Sequence, residues 1–82
     1  MNRTADVQIP EEQLDHIATR FIKTASGYPC QISIMRGAHC INGKSLLGFL
    51  SLMRDSGSVT LAAEGTGAEE ALAALSDILG MR

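Results

Sequence analysis

Apolar and polar residues along this chain change period several times, and each change marks an element. Val7 and Ile9 alternate with Asp6 and Gln8, which predicts a short strand over residues 5–9 after a frayed start. Pro10 then opens a helix, where its missing N–H costs nothing, and Glu11-Glu12 suit the positive end of the helix dipole. Leu14, Ile17, Ala18, Phe21, Ile22 and Ala25 recur at helical spacing on one face. The opposite face carries Asp15, His16, Thr19, Arg20, Lys23 and Thr24. Gly27 suits the C-cap and Pro29 blocks continuation. Alternation returns over Gln31 to Met35, with Ile32 and Ile34 on one face. Arg36-Gly37 makes a turn, and residues 38–42 run back as the second strand of a hairpin. That turn sets Cys40 opposite about Ser33 rather than Cys30, so no disulfide is expected.

From Ile41 to Met53 the pattern is different. After the turn at Asn42-Gly43, Ser45 stands directly before an apolar run, as a helix N-cap does. In the helix predicted over 45–53, Leu46, Leu47, Phe49, Leu50, Leu52 and Met53 go almost all the way round. A short helix in a small domain cannot bury every side, so part of this surface is expected to face solvent or a partner. Residues 54–57 form a loop, and Ser58 to Glu64 alternates as a strand through Val59, Leu61 and Ala63. Thr66 with Glu69 spells a capping box. A last amphipathic helix runs through Ala68, Ala71, Leu72, Leu75, Ile78 and Leu79 to Gly80. The predicted order is β-α-β-β-α-β-α. Four mostly antiparallel strands with three helices on one face make an α+β fold, a two-layer open-faced β-sandwich, as one domain over residues 1–82.

Composition narrows the function classes. At 82 residues the chain has room for one domain, and 45% hydrophobic with 20% charged residues is the balance of a soluble globular protein rather than a disordered one. Seven basic residues are scattered singly in a net charge of −2, which argues against nucleic-acid binding. No apolar run approaches a membrane span and no signal-peptide pattern opens the chain, so the expected location is the cytoplasm. Cys30, Cys40, His16 and His39 lack metal-ligand spacing, and no phosphate loop, catalytic triad or paired-carboxylate site stands out. Neither metal nor cofactor is expected, and the chain does not read as an enzyme.

Residues 21–28 (FIKTASGY), 42–52 (NGKSLLGFLSL) and 59–75 (VTLAAEGTGAEEALAAL) resemble HPr, the histidine-containing phosphocarrier of the sugar phosphotransferase system. The similarity covers roughly residues 5–80 without a gap. The family carries Gly-Leu-His-Ala/Thr-Arg-Pro-Ala before its first helix, and that histidine passes phosphate from enzyme I to the enzymes II. Aligned back from Phe21, this chain has Leu14 at the phosphoacceptor position, His16 at the arginine and Ile17 at the proline. Leucine has no nucleophilic atom. With Pro10 starting the helix earlier, and Glu11, Glu12 and Asp15 repelling an anion, the resemblance implies a lost carrier site. The weaker alternative is a relocated acceptor at His16, on the polar face inside the helix.

The family's regulatory serine, by contrast, is matched by Ser45, the position modified by HPr kinase/phosphorylase in many Gram-positive bacteria. Phosphate there adds roughly −2 charge at a helix start. The resemblance places partner contacts at Lys44, Leu46, Leu47, Phe49 and Leu50, like the patch by which serine-phosphorylated HPr docks on a transcription regulator. The structural reading is that Ser45 is only a cap and the leucines fill the core. The expectation is an HPr-like regulatory module resembling the catabolite-repression paralogues that lack the histidine. The alternatives are a His16 phosphocarrier or a non-phosphorylated scaffold, and a homodimer would also cover the leucine-rich patch.

Overall fold

The computed structural model describes residues 1–55 and 57–81. In chain order it forms β1 (Asn2–Val7), α1 (Glu11–Ser26), β2 (Gln31–Arg36), β3 (His39–Asn42), α2 (Leu46–Leu52), β4 (Gly57–Glu64) and α3 (Ala68–Leu79). The strands lie in the order β1-β4-β2-β3, every neighbouring pair antiparallel. The helices cover one face, giving the open-faced α+β sandwich that the hydrophobic pattern predicts.

Alternation decides what each strand sends to the helices. Ile32 and Ile34 of β2, and Val59, Leu61 and Ala63 of β4, are buried, while Ser33, Thr60 and Ala62 line the uncovered face. From the helix side come Ala18, Phe21 and Ala25 of α1, Phe49 and Leu52 of α2, and Ala71, Leu72 and Leu75 of α3. The Phe21 and Phe49 rings meet at 4.8 Å between centroids, tilted by 39°, and join α1 to α2 at the middle of the core. Gly43 permits the tight entry to α2. Its N–H donates to the Ile32 carbonyl at 2.7 Å, and a Cβ there would overlap the Ile32 side chain.

Several boundaries differ from the expectation. β1 begins at Asn2, because residues 2–7 pair in register with β4 from Asn2↔Ala62 to Val7↔Gly57. Met1 continues the ladder, exchanging hydrogen bonds with Ala63. Ile9 lies beyond the strand. Pro10 is the N-cap of α1 rather than its first residue. The hairpin turns at Gly37-Ala38, so Cys40 stands opposite Met35 and Ser33 opposite Asn42. Both cysteines are free thiols, Cys30 in the core and Cys40 exposed. Gly57, in the expected loop, already belongs to β4, and Ser56 of that loop lies outside the described residues. The capping box does not form. Gly67 is the N-cap of α3, in the left-handed region at φ 77°, with no side-chain cap bond. The far end of α3 closes on Gly80 at φ 73°, whose N–H donates to Asp77, while Met81 N–H donates to Ser76.

Candidate functional site

The start of α2 is built by local hydrogen bonds. Lys44 N–H donates to Asn42 Oδ1 at 2.9 Å and Ser45 N–H to the Asn42 carbonyl at 3.0 Å, which folds the chain into the helix. Ser45 is the N-cap. Its Oγ accepts from Gly48 N–H at 3.2 Å, and its carbonyl accepts from Phe49 N–H at 2.9 Å. The Lys44 ammonium does not reach outward but donates to the Tyr28 carbonyl at 2.7 Å, fastening the α2 start to the end of α1.

Arg36 holds the other end of α2. Its Nε donates to the Leu52 carbonyl at 3.2 Å and its Nη2 meets Met53 Sδ at 3.5 Å. Guanidinium on a terminal carbonyl is also favourable toward the negative end of the helix. Arg36 Nη1 is buried with no partner among the described residues. The helix thus hangs between a lysine-bound loop and an arginine-bound terminus.

Packing then sorts the apolar residues of α2. Gly48 presses so close to β3 that a Cβ would lie 3.3 Å from Ile41 and 3.2 Å from Ser45 Oγ. With that side against the sheet, Phe49 and Leu52 are buried and Leu50 is half-buried. Leu46 is 43% exposed and Leu47 81%. Phe49 is therefore a correction among the expected partner residues. It is 0% exposed, its ring spent on Phe21, and it cannot touch a partner. Of the other expected contact residues, Leu46 and Leu47 are exposed, while Lys44, Ser45 and Leu50 are half-buried.

Because α2 runs antiparallel to α1, its C-terminal end meets the α1 N-terminus. Between them lies a groove of about 640 Å³ lined by Ile9, Glu11, Leu14, Asp15, Leu50, Met53 and Arg54. Leu14 falls in the first turn of α1, half-buried against the core. It contributes to the groove with a branched hydrocarbon. His16 is exposed on the polar face, in the second turn, where its own N–H is already in the helical ladder. His39 begins β3, exposed, opposite Arg36. Neither histidine lines the groove. Among the described residues, no three His, Cys, Asp or Glu side chains gather where they could hold a metal ion, and no helix is long and apolar enough to cross a membrane.

Sequence reasoning missed the groove and its wall residues Ile9 and Arg54. It also missed the Arg36 clamp, which depends on a residue that reads only as part of a turn. Ile9 gave no signal of its own, because its alternation with Val7 reads as strand, whereas β1 ends at Val7.

Comparison with known proteins agrees with this architecture. The family model described as the PTS HPr component phosphorylation site matches residues 1–80. An HPr-C-His protein from Thermoanaerobacter tengcongensis superposes with a TM-score of 0.86 at 31% identity, over 98% of this chain and 91% of that one. An HPr dimer from the same organism is 38% identical over 78% of this chain and 75% of that one, with a TM-score of 0.71. Crh, the Bacillus subtilis catabolite repression protein, described as an intertwined dimer with a swapped domain, is 25% identical over 93% of this chain and 84% of its own, with a TM-score of 0.73. Strand order, helix placement and the match over nearly the whole chain lead to one conclusion: this protein belongs to the HPr family of the phosphotransferase system, whose members are phosphocarriers rather than enzymes.

Proposed function

We propose that this chain is a regulatory, partner-binding member of the HPr family that does not carry phosphate on histidine. One observation carries the reading. Leu47, at 81% exposure, stands with Leu46 beside the capped Ser45, while the half-buried Leu14 occupies the first turn of α1 where the family motif aligns its phosphoacceptor. An apolar side chain in that position has no atom to phosphorylate. An isolated exposed leucine on a surface needs no explanation, but two adjacent ones joined to Leu50 make a contact surface. The likeness to Crh, a catabolite repression protein, supports the same class.

In this reading Ser45 gates the surface from the cytoplasm. A phosphoryl group on its Oγ adds charge next to Leu46 and Leu47 and near the first-turn N–H groups of α2. The partner is an HPr kinase/phosphorylase-like protein for modification and a transcription regulator for readout.

Intact-mass spectrometry after two parallel incubations tests it: enzyme I with phosphoenolpyruvate, and HPr kinase with ATP. The expected result is one phosphate from the kinase alone, mapped to Ser45. An acid-labile phosphate from enzyme I that disappears in His16→Ala overturns it in favour of a relocated carrier. No phosphate from either reaction leaves a scaffold, in which Leu47→Asp disrupts partner binding and Ser45→Asp does not. The dimers among the related structures give self-association a place in the same test, through sedimentation of the wild-type chain and Leu47→Asp.

A further inference from the structure

Asn42-Gly43 turns the chain into α2, and the pair also carries a reactivity of its own. The chain has two asparagines, Asn2 and Asn42, and only Asn42 precedes a glycine. With no side chain to shield it, a glycine nitrogen can reach the Cγ of the asparagine before it. Nothing larger fits at this position, because a Cβ on Gly43 would overlap the Ile32 side chain. The two reacting atoms have opposite surroundings. The Asn42 side chain is exposed, and Lys44 N–H donates to its Oδ1 at 2.9 Å, which draws electron density from Cγ and leaves that carbon open to attack. Gly43 is buried, and its N–H is spent on the Ile32 carbonyl at 2.7 Å. The electrophile is ready and the nucleophile is locked.

We infer that Asn42 is a site of spontaneous deamidation gated by the hydrogen bond from Gly43 to Ile32. The step begins when hydroxide removes the Gly43 amide proton, which the bond to Ile32 prevents. The freed nitrogen attacks Asn42 Cγ. An N–Cγ bond forms, the Cγ–Nδ2 bond breaks, and ammonia leaves with a proton from water. The succinimide ring then takes up one water. Cleavage of its N–Cγ bond gives aspartate, and cleavage of its backbone C–N bond gives isoaspartate, with the main chain rerouted through Cβ and Cγ. An aspartate at this position still accepts from Lys44 N–H and keeps the turn. An isoaspartate lengthens the main chain by one carbon between the Ser33↔Asn42 pair and the Ser45 cap, so strand pairing and the start of α2 no longer fit together. Molecules that open at this joint are thereby marked, and those with isoaspartate are barred from closing as before. The inference stands whether or not Ser45 carries phosphate.

Amide hydrogen exchange removes the same proton, so one opening event governs both reactions. The full chain is kept at mildly alkaline pH, folded or denatured in guanidinium chloride. Conversion is followed by intact mass and by peptide mapping that separates aspartate from isoaspartate, and Gly43 exchange is read by NMR on the folded chain. The denatured chain is expected to convert at Asn42 well ahead of Asn2. Folding should slow conversion by about tenfold or more, and by the same factor, within about threefold, as it slows Gly43 exchange. Ser45→Ala should speed conversion of the folded chain about fivefold, the factor that loss of an N-cap puts into an opening equilibrium at the start of α2. Thr66→Ala, where no cap bond is lost, should leave it unchanged. Equal rates in the folded and denatured chains, conversion out of step with Gly43 exchange, no effect of Ser45→Ala, or a matching gain in Thr66→Ala overturns the gate. A denatured chain that keeps its amide at Asn42 overturns the site itself.

Discussion

Residue by residue, the α2 start separates what a side chain does for the fold from what it offers a partner. Ser45 does both: its hydroxyl caps the helix, and the same oxygen is the proposed phosphoacceptor. Ser45→Ala should lose about 1 kcal/mol of unfolding free energy, the worth of an N-cap. Leu47→Asp should change stability by no more than about 0.5 kcal/mol, because the side chain is already in water. Urea unfolding of the two variants checks both, and an unchanged Ser45→Ala midpoint would mean that Gly48 N–H is satisfied without the cap. Serine before an apolar run is a local signal, so Ser45 was legible in the sequence. Phe49 was not separable from its neighbours, because which residue of an all-round apolar helix faces inward depends on where Gly48 meets β3. Arg36 illustrates the same limit: its bond to the Leu52 carbonyl joins residues that no local pattern connects.

At the scale of elements, strong periodicity carried the order and weak periodicity lost the ends. The six apolar positions of α1 and the alternation of β4 fixed both elements, and the strand-helix order followed. Residues 2–4 (Asn2, Arg3, Thr4) show no alternation of apolar and polar side chains, and β4 recruits them by backbone pairing and a hydrogen bond between the Thr4 and Thr60 hydroxyls at 2.8 Å. At the head of α3 a familiar motif misled. Thr66 and Glu69 have the spacing of a capping box, yet Gly67 takes the left-handed cap position and Thr66 is exposed. Thr66→Ala should therefore alter stability by less than about 0.5 kcal/mol, where a working cap would lose about 1. A thermal shift of the variant downward by several degrees would show that the hydroxyl does cap the helix in solution.

Over the whole molecule, stability is distributed by the same topology that places the site. β4 and β2 are central strands paired on both sides, and their inward residues Val59, Leu61 and Ile34 are fully buried. β1 and β3 are edges, each paired with one neighbour only. α2 has seven residues, too few to be stable alone, and depends on Phe49, the Ser45 cap and the Arg36 bond. The groove belongs to this scale too: it appears only once α1 and α2 are packed antiparallel, which is why no stretch of sequence displayed it. Native-state hydrogen exchange should accordingly find the slowest amides in β4 and β2, opening only on global unfolding, and faster exchange through α2. Arg36→Met should speed α2 exchange more than that of β4, because it removes the bond at Leu52 while keeping an apolar chain beside Met53. If α2 amides instead exchange as slowly as those of β4, the helix is part of the globally cooperative unit. Its exposed leucines would then be held rigidly for a partner rather than presented on the most easily opened element of the fold.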